Sequence, residues 1–377
     1  MRIIVILSNL FSGKASMLCR HNLTYNRISH EKCNSNNILI EAEALKNKAH
    51  NYQETLRIGL RLYRGLILNS FGVKAPLFGG HKVTYNCNLK CKMCPFWKRS
   101  SENLSTRKEK EILKQIYDSG VCAIGFEGGE PLLRKDLAEI LAYSCSLPLH
   151  TSVITNGTLL KSRIEEIAPY INGIVFVSLD GMEKTHDLIR GVDGCFKRAI
   201  EGITEAKEKV SVRINTTIMA DNIHEIEDMV KLAKDLRVKI LLSVAHEYRN
   251  IDESAPKADE IKKVAKRLIE LRRKGYPIMN STSYFKVIAK EKGWKCKPWS
   301  IINIGTDGRL VLPCYVHNQY ETSASVFENS IKAATSSFDW RITHNCVKCN
   351  LHCYLEPSLI LSWDLRSWTD WAFPVKT

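Results

Sequence analysis

The sequence predicts an α/β fold in which a partial barrel of six βα units is followed by a small cysteine-rich α+β domain. Two observations support this prediction. Between residues 81 and 245, short runs of β-forming residues alternate with longer helical runs, a pattern typical of a parallel sheet. After residue 281 the alternation stops, and short strand candidates with cysteines follow. The 377 residues suffice for one large and one small domain.

Six strand candidates carry the barrel prediction, and a helical run follows each of the first five. The strands are His81–Tyr85, Ala123–Phe126, Thr151–Ile154, Ile174–Ser178, Val210–Ile218 and Lys239–Val244. The helices are one that opens at Thr106, then Asp136–Tyr143, Leu159–Tyr170, Phe196–Lys209 and Ile223–Leu236. We expect Thr106 to cap its helix, with Glu109 completing a capping box. Six such units predict an incomplete, TIM-like barrel with its chemistry at the carboxyl ends of the strands.

Four segments are expected along the chain. Residues 1–39 are predicted to be a poorly ordered extension, 40–80 an amphipathic helical segment with a linker from Phe71 to Gly80, 81–280 the core barrel, and 281–377 the cysteine-rich domain. Within the last two, we expect a helix over Asp252–Arg273, a hairpin turning at Asp307-Gly308, and a helical tail, Pro357–Phe373. The tail is expected to turn Trp363, Trp368 and Trp371 towards the core.

The amino-terminal helix has two interpretations. Leu56, Leu60, Tyr63 and Ile67 recur at helical spacing, beside a stripe formed by Arg57, Arg61 and Arg64. Such a helix could lie on an anionic membrane surface. It could equally pack on the barrel with its arginines in solvent.

Charge and hydropathy limit the class of protein. The net charge of +15 permits attraction to nucleic acid, anionic lipid or acidic substrates without choosing among them. No apolar run approaches the roughly 20 residues that span a bilayer. We therefore expect a cytoplasmic protein, with peripheral membrane contact as an alternative and nucleic acid as the least favoured partner.

Eight of the thirteen cysteines fall into two clusters with ligand-like spacing, which favours metal over disulfides in a chain that is not secreted. The first cluster is Cys87, Cys91 and Cys94, directly after the first strand candidate. A four-iron cubane takes four ligands, so three thiolates from one loop would leave one iron open to a ligand that is not protein. Zinc is the alternative at this stage.

Further motifs stand at the ends of later strands. Gly128 and Gly129 let backbone come close to a ligand, and Glu130 offers a carboxylate that could hold an ammonium group. A plain glycine turn before a helix is the alternative. Thr155-Asn156-Gly157 and Ser178-Leu179-Asp180-Gly181 follow the third and fourth strands.

Together, in this order, these motifs closely resemble the radical S-adenosylmethionine (SAM) superfamily over residues 81–245. The resemblance implies a partial (βα)6 barrel that holds a [4Fe–4S] cluster on Cys87, Cys91 and Cys94. It also implies that the methionyl amine and carboxylate of SAM bind the fourth iron.

The resemblance assigns roles to single residues. Gly128, Gly129 and Glu130 are expected to receive the SAM amine, and Ser178 and Asp180 to lie near the ribose or the substrate. Arg190 resembles the arginine that pairs with the methionyl carboxylate, which suits a planar guanidinium, although a surface arginine is the alternative. Further SAM contacts are expected from Asn156 and Asn215. Met93 stands where the family often has an aromatic residue, so Phe96 or Trp97 is expected to form the adenine wall.

The implied chemistry belongs to the cofactor. A reduced cluster donates one electron to the sulfonium, and the resulting 5′-deoxyadenosyl radical abstracts hydrogen from an unactivated carbon. Such an enzyme needs an electron donor, expected to be a small reductase, a ferredoxin or a flavodoxin. The substrate class stays open between a peptide or protein, a cofactor precursor, and a lipid.

The second cluster of cysteines is in the tail, at Cys296, Cys314, Cys346, Cys349 and Cys353. It resembles a shortened form of the SPASM or twitch extension, which implies one auxiliary [4Fe–4S] cluster. Cys296, Cys314 and Cys353 are the expected ligands, with Cys346 or Cys349 as the fourth. A zinc site assisted by His344 or His352 is the alternative. A different class of function is a non-enzymatic zinc or iron–sulfur protein whose basic surface binds nucleic acid or membrane.

Overall fold

Six parallel strands form the barrel predicted from the sequence. The computed structural model describes residue 53 and residues 55–99, 102–245, 255–318, 324–347 and 349–372. The strands are β1 (Phe78–Thr84), β2 (Ala123–Gly128), β3 (His150–Thr155), β4 (Ile174–Ser178), β5 (Ser211–Ile218) and β6 (Lys239–Val244). They pair in chain order, each parallel to the next. The predicted partial (βα)6 barrel is thus confirmed.

Helices lie between and after these strands. They are α1 (55–70), α2 (Thr106–Asp118), α3 (Leu137–Ser146), α4 (Leu160–Ile167), α5 (Glu183–Arg190), α6 (Cys195–Ala206), α7 (Ile226–Asp235), α8 (Ala258–Arg273) and α9 (Thr282–Ile288). The five predicted barrel helices are confirmed within a few residues at their ends, except that the runs after Leu159 and from Ile223 each include a short 3-10 turn. The helix predicted over Asp252–Arg273 begins at Ala258, and residues 252–254 lie outside the described residues. The predicted tail helix Pro357–Phe373 is two helices, His352–Leu361 and Leu365–Ala372, and Phe373 lies outside the described residues. Helix α5 was not predicted, and it brings Arg190 towards the first cysteine loop.

Side chains alternate along the strands between the helical layer and the barrel interior. Strand β5 shows this directly, because every second residue is buried and the others are only partly buried. Val153, Val175 and Ile214 are fully buried beneath the helices. The residues on the other face line the space inside the barrel, which places polar groups where a ligand could reach them.

The cysteine-rich segment extends the same sheet. Strand β7 (Ile301–Ile304) pairs parallel with β1, and β8 (Arg309–Leu310) and β9 (Ala324–Ser325) continue it in antiparallel fashion. The predicted hairpin is confirmed, since Ile304 pairs with Leu310. The remaining helices are α10 (Tyr315–Asn318), α11 (Ile331–Ser337), α12 (His352–Leu361) and α13 (Leu365–Ala372). The division into domains at residue 281 stays a prediction, as does the extension over residues 1–39, which lie outside the described residues.

The amino-terminal helix packs through a different face from the predicted one. Ile58, Leu62 and Leu66 are buried against the barrel, whereas Leu60 is 57% exposed and Tyr63 is 45% exposed. Arg61 is not in solvent, because its guanidinium stacks on the Tyr117 ring at 3.9 Å. The prediction that the helix packs on the barrel is therefore confirmed, and the prediction that Arg61 lies in solvent is wrong. Among the described residues, no helix is long and apolar enough to cross a membrane.

Three local predictions were wrong. The linker ends earlier than predicted, because β1 begins at Phe78 and includes Gly79 and Gly80. Ser105, not Thr106, caps α2 by accepting from Lys108 N. Glu109 does not complete a capping box, because its carboxylate turns into the interior and pairs with His81. Of the three tail tryptophans, Trp363 is 62% exposed, because it follows the end of α12, while Trp368 and Trp371 pack against the cluster that includes Leu62.

Candidate active site

The first cysteine loop leaves the carboxyl end of β1 and is held against helix α5. Lys90 N donates to Arg190 O at 3.1 Å, and Lys92 N donates to Ile189 O at 2.9 Å. A turn closes between Cys94 N and Cys91 O at 3.2 Å, and Trp97 Nε1 donates to the same carbonyl at 3.0 Å. These contacts fix the loop mainly through its backbone, and its three thiols lie on one short loop against α5.

The three thiols of this loop share one electrostatic environment. Burial raises the pKa of Cys87 to about 11, and Glu130, Cys91 and Cys94 raise it further by repulsion. Burial also raises the pKa of Cys91, against the opposing effect of Arg190, whose Nη1 lies 3.6 Å from Cys91 Sγ. Ionisation of Cys87 and Cys91 is therefore favoured by positive charge brought to their thiols, as a metal centre does.

The donor set of this loop fits an iron–sulfur cluster. Such clusters are held by cysteine thiolates, and Cys87, Cys91 and Cys94 pack together in one short loop. A site for a single metal ion would instead bring three ligand atoms within about 4.8 Å of one another.

One compact group does meet that distance, at His186, Asp187 and Cys195. Its contacts explain it without metal. Cys195 Sγ donates to Asp187 Oδ1 at 3.1 Å, and the backbone amides of Gly194 and Phe196 donate to the same carboxylate. The carboxylate thus anchors the start of α6.

The glycines after β2 pack the second loop against the first. A Cβ at Gly128 would lie 2.1 Å from Thr84 O, and a Cβ at Gly129 would lie 2.2 Å from Asn86 O. Gly129 N donates to Thr84 O at 2.7 Å, and Glu130 N donates to Asn86 O at 2.8 Å. In the structure these glycines serve a backbone-to-backbone contact that no larger residue permits, and their contact with SAM stays a prediction.

Glu130 is fully buried and has three donors within the chain. Its carboxylate accepts from Leu132 N at 3.0 Å, from Thr155 Oγ1 at 2.7 Å and from Asn156 N at 2.7 Å. Burial raises its pKa despite these bonds. Glu130 thereby joins the ends of β2 and β3, while a bond to the SAM amine stays a prediction. Asn156 donates from Nδ2 to Asn88 Oδ1 at 2.8 Å, which ties the β3 loop to the cysteine loop.

Asp180 and Arg190 were predicted to contact different parts of SAM, and the structure pairs them. Arg190 Nη2 lies 2.6 Å from Asp180 Oδ2, and both side chains are almost fully buried. Asp180 also accepts from Thr217 N at 2.8 Å. This pair spans α5 and the end of β4, a contact that no local pattern in the sequence reveals. The surface alternative for Arg190 is wrong.

Several buried polar atoms in and around this pair have no hydrogen-bond partner among the described residues. They include the donor Arg190 Nε, the acceptor Asn215 Oδ1 and the ring nitrogen His186 Nε2. Asn215 pairs in register with Ser178 at the carboxyl ends of β5 and β4. A buried unsatisfied group is costly, and it is found where a ligand completes the bonding. A ligand with both a carboxylate and hydroxyl or amine groups, such as SAM, matches this set.

The interior beside the loop contains a charged pair that sequence reasoning missed. Lys82 Nζ lies 2.8 Å from Glu127 Oε1 and 4.2 Å from the centre of the Phe96 ring. Phe96 also stacks on Tyr85, with ring centres 5.8 Å apart, and meets Tyr315 edge-on. Its role as the adenine wall stays a prediction. Alternation along β1 and β2 could have indicated that Lys82 and Glu127 face inward.

The five tail cysteines come together beside β7, although they are separated by up to 57 positions in sequence. Cys314 and Cys349 are buried, and burial raises the pKa of Cys349 to about 12, with Cys314 and Cys346 adding repulsion. Cys296 N donates to Cys346 O at 3.1 Å. The predicted gathering of the tail thiols is thus observed, and the ligand set stays a prediction.

The two histidines of the alternative zinc site differ in exposure. His344 is exposed, whereas His352 is partly buried with a pKa lowered to about 4 by burial. His317, which was not predicted, places Nε2 3.4 Å from Cys346 Sγ.

Two family models match this chain. The family model described as the radical SAM superfamily matches residues 81–233. Residues 81–233 are a radical SAM domain. Residues 240–372 match a domain of unknown function, DUF3463. The resemblance noted in the sequence is confirmed, and this family uses a [4Fe–4S] cluster and SAM.

Curated relatives of this chain have names from different kinds of biosynthesis. It is 29% identical over 211 residues to Fe-coproporphyrin III synthase of Methanosarcina barkeri, covering 52% of each chain. It is 30% identical over 210 residues to the subtilosin biosynthesis protein AlbA of Bacillus subtilis, covering 53% of this chain and 46% of that one. The chain thus spans about half the length of the curated relatives it matches.

Solved structures share the fold. The Streptococcus suis protein SuiB bound to S-adenosylmethionine aligns with a TM-score of 0.61 and 18% identity, covering 79% of this chain and 76% of that one. The protein anSMEcpe with bound AdoMet aligns with a TM-score of 0.56 and 18% identity, covering 79% and 97%. These likenesses establish the fold of the radical SAM barrel together with the region after it.

The close packing of Gly129 predicts that a larger residue at this position impairs SAM cleavage. Gly129→Ala places a methyl group against Asn86 O and must push the glycine loop away from the cysteine loop. We expect SAM cleavage to fall about a hundredfold, the size of effect that follows a displacement of about 1 Å at a reacting centre. Production of 5′-deoxyadenosine measures it. Gly293→Ala is the matched control, because nothing lies within 4 Å of a Cβ there. Equal rates in the two variants would contradict the packing argument.

Proposed function

We propose that this chain is a radical SAM enzyme that cleaves SAM reductively and uses the 5′-deoxyadenosyl radical to abstract hydrogen from an unactivated carbon. The observation that carries the proposal is the meeting of three loops: the thiols of Cys87, Cys91 and Cys94, the glycine loop after β2, and the Asp180–Arg190 pair. Cys87, Cys91 and Cys94 would hold a [4Fe–4S] cluster, which when reduced would supply the one electron that cleaves SAM to methionine and the 5′-deoxyadenosyl radical.

The residues of the chain bind and orient the cosubstrate. Arg190 presents Nε towards a carboxylate, and Asn215 Oδ1 is an acceptor for a hydroxyl or amine. Lys82 and Glu127 place a charged pair inside the barrel, where the radical would meet the substrate. Electrons come from an external donor of the reductase, ferredoxin or flavodoxin type.

The test is anaerobic purification, cluster reconstitution and an assay for 5′-deoxyadenosine after addition of dithionite and SAM. We expect 5′-deoxyadenosine and methionine in equal amounts. A chain that binds zinc but no iron and leaves SAM intact would overturn the proposal, and would instead support a non-enzymatic metal-binding protein.

For the substrate, we propose maturation of a peptide or a cofactor precursor. The relatives support this class by their names: one makes Fe-coproporphyrin III, another serves subtilosin biosynthesis, and SuiB was solved bound to its precursor peptide SuiA. The five thiols beside β7 add a second site of the kind that an auxiliary cluster needs.

The auxiliary cluster makes a separate prediction. The reconstituted chain is expected to hold about eight iron atoms, four in each cube. Cys349→Ala, which removes a buried thiol among the five, should lower this to about four and leave the SAM-binding cluster in place. Iron and sulfide analysis measures it. Cys145→Ala is the control, because Cys145 lies in α3, donates to Tyr170 O and belongs to neither group of clustered cysteines. An unchanged iron content in Cys349→Ala would contradict the role of Cys349 as a ligand of the auxiliary cluster.

A lipid substrate is the second candidate, and one observation favours it. Leu56, Leu60, Tyr63 and Ile67 form an exposed apolar stripe on α1, with Arg57 and Arg64 exposed beside it. Such a surface could rest on an anionic membrane.

Sedimentation with vesicles tests this candidate. Leu60→Glu should reduce binding of the full chain to vesicles of phosphatidylserine and phosphatidylcholine, because it places a negative charge in the stripe without disturbing the buried face of the helix. Exposed Leu188→Glu on α5 is the control substitution. Equal sedimentation of the wild type and Leu60→Glu would remove the lipid candidate.

A further inference from the structure

The lower half of the barrel encloses a cavity that the proposed reaction does not use. It has a volume of about 210 Å³ and lies between the amino-terminal halves of β1 to β5, closed from below by α1 and α13. Its walls are mostly apolar: Leu62, Leu66, Phe78, Phe176, Trp368 and Trp371. At ~30 Å³ for each water in the liquid, the cavity equals about seven waters.

One side chain in this apolar wall is charged. Arg213, on the inward face of β5, has a single described contact, from Nη1 to Met279 Sδ at 2.9 Å. No carboxylate pairs with it among the described residues. Burial lowers its pKa to about 10. A thioether is a weak acceptor, so the guanidinium retains most of its capacity to donate hydrogen bonds.

A second cation stands beside it. Lys239 is the residue of β6 that pairs with Arg213 in register, and it too has no described ion pair or hydrogen bond. Burial, followed by repulsion from Arg213 and Arg272, lowers the pKa of Lys239 to about 8. Arg272 differs from both, because it donates to Asn280 O at 2.9 Å and lies 3.6 Å from Asp370 Oδ1.

Two adjacent, partly buried cations without an anion are unfavourable, because each loses hydration and each repels the other. By contrast, Lys82 is matched by Glu127 and Arg190 by Asp180. The unmatched pair therefore indicates a missing partner with negative charge. The apolar wall around it indicates that the rest of this partner is apolar.

We propose that the lower barrel is a binding site for a small apolar molecule that carries one anionic group, either a carboxylate or a phosphate. Arg213 and Lys239 hold the anion, and the aromatic wall of Phe176, Trp368 and Trp371 holds the apolar part. Thr217 contacts Asp180 and follows Arg213 by four residues on β5. At ~3.3 Å per residue, Arg213 therefore lies about 13 Å along the strand from the Asp180–Arg190 pair. The site is thus separate from the SAM site and does not depend on the proposed reaction.

The test is calorimetric titration of the full chain, without SAM or reductant, so that a failure of the radical chemistry leaves the result readable. The probes are octanoate, octyl phosphate, octanol, octyltrimethylammonium and inorganic phosphate. We expect octanoate or octyl phosphate to bind at least about tenfold more tightly than octanol, and the cationic probe not to bind. The ratio of the two anionic probes distinguishes carboxylate from phosphate as the native group. Inorganic phosphate should bind weakly, because it lacks the apolar part.

Arg213→Met should weaken octanoate binding at least about tenfold, and Lys239→Met should weaken it to a smaller extent. Lys262→Met, at an exposed position on α8, is the matched control. Because it removes an uncompensated charge, Arg213→Met should also raise the melting temperature of the ligand-free chain by a few degrees, whereas loss of a merely structural arginine would lower it. Octanol that binds as tightly as octanoate, or an Arg213→Met chain with unchanged affinity, would overturn the proposal.

Discussion

Replacing Cys91 with alanine is expected to abolish SAM cleavage and to remove about four iron atoms per chain. The cysteine loop supplies the three proposed ligands of this site, and Cys91 is its most buried member. It also lies beside Arg190, so its loss removes both a ligand and the neighbour of the proposed carboxylate contact. The measurements are iron analysis, the cluster absorbance near 400 nm expected of iron–sulfur proteins, and 5′-deoxyadenosine formation.

The control for this experiment is Cys195→Ser. Cys195 packs against the same loop and is buried, but it bonds to Asp187 and does not belong to the proposed ligand set. It should retain the cluster and its iron content. Cleavage that persists in Cys91→Ala would overturn the assignment of the SAM-binding cluster.

Replacing Glu109 with alanine is expected to be the most destabilising single change in the barrel, at about 3–5 kcal/mol. Glu109 is completely buried in α2, where Oε2 lies 2.6 Å from His81 Nε2 and Oε1 lies 2.5 Å from Arg134 Nη1. Arg134 also binds Asp136 and donates to Val83 O. Removing the central carboxylate leaves a guanidinium buried with less than its full set of acceptors, which costs far more than the loss of a surface pair.

The free energy of unfolding from urea denaturation measures this effect. Glu111→Ala is the matched control, because Glu111 lies in the same helix and makes an exposed pair with Arg107. Surface pairs contribute little, so its urea midpoint should barely move. If the two variants unfolded at the same urea concentration, the buried network would not have the role assigned to it.

Local patterns were sufficient for most of the barrel. The alternation of strands and helices predicted all six parallel strands, because each strand carries its own β-forming residues and its own turn signals. The same patterns misjudged Glu109. A Ser or Thr followed three residues later by Glu indicates a capping box, and nothing local shows that His81 and Arg134 compete for that carboxylate.

The amino-terminal helix shows a similar limit. Leu56, Leu60, Tyr63 and Ile67 form a regular apolar stripe, yet the helix buries Ile58, Leu62 and Leu66 instead. Both sets satisfy helical periodicity, so the partner surface, not the pattern, decides which one packs. That surface includes Ile360 and Leu361, which are about 300 residues away in sequence.

By itself, the sequence determined the fold class, the superfamily and the three-cysteine loop, because each depends on residues close together in the chain. Only the tertiary structure decided that Arg190 pairs with Asp180, that Glu130 joins two strand ends, and that Arg213 faces an apolar cavity with Lys239 beside it in register. The physical reason is that a charge acquires its partner, or fails to, across strands and helices. The cost of burying it depends on that partner and on the surrounding solvent, and neither can be read from neighbouring residues.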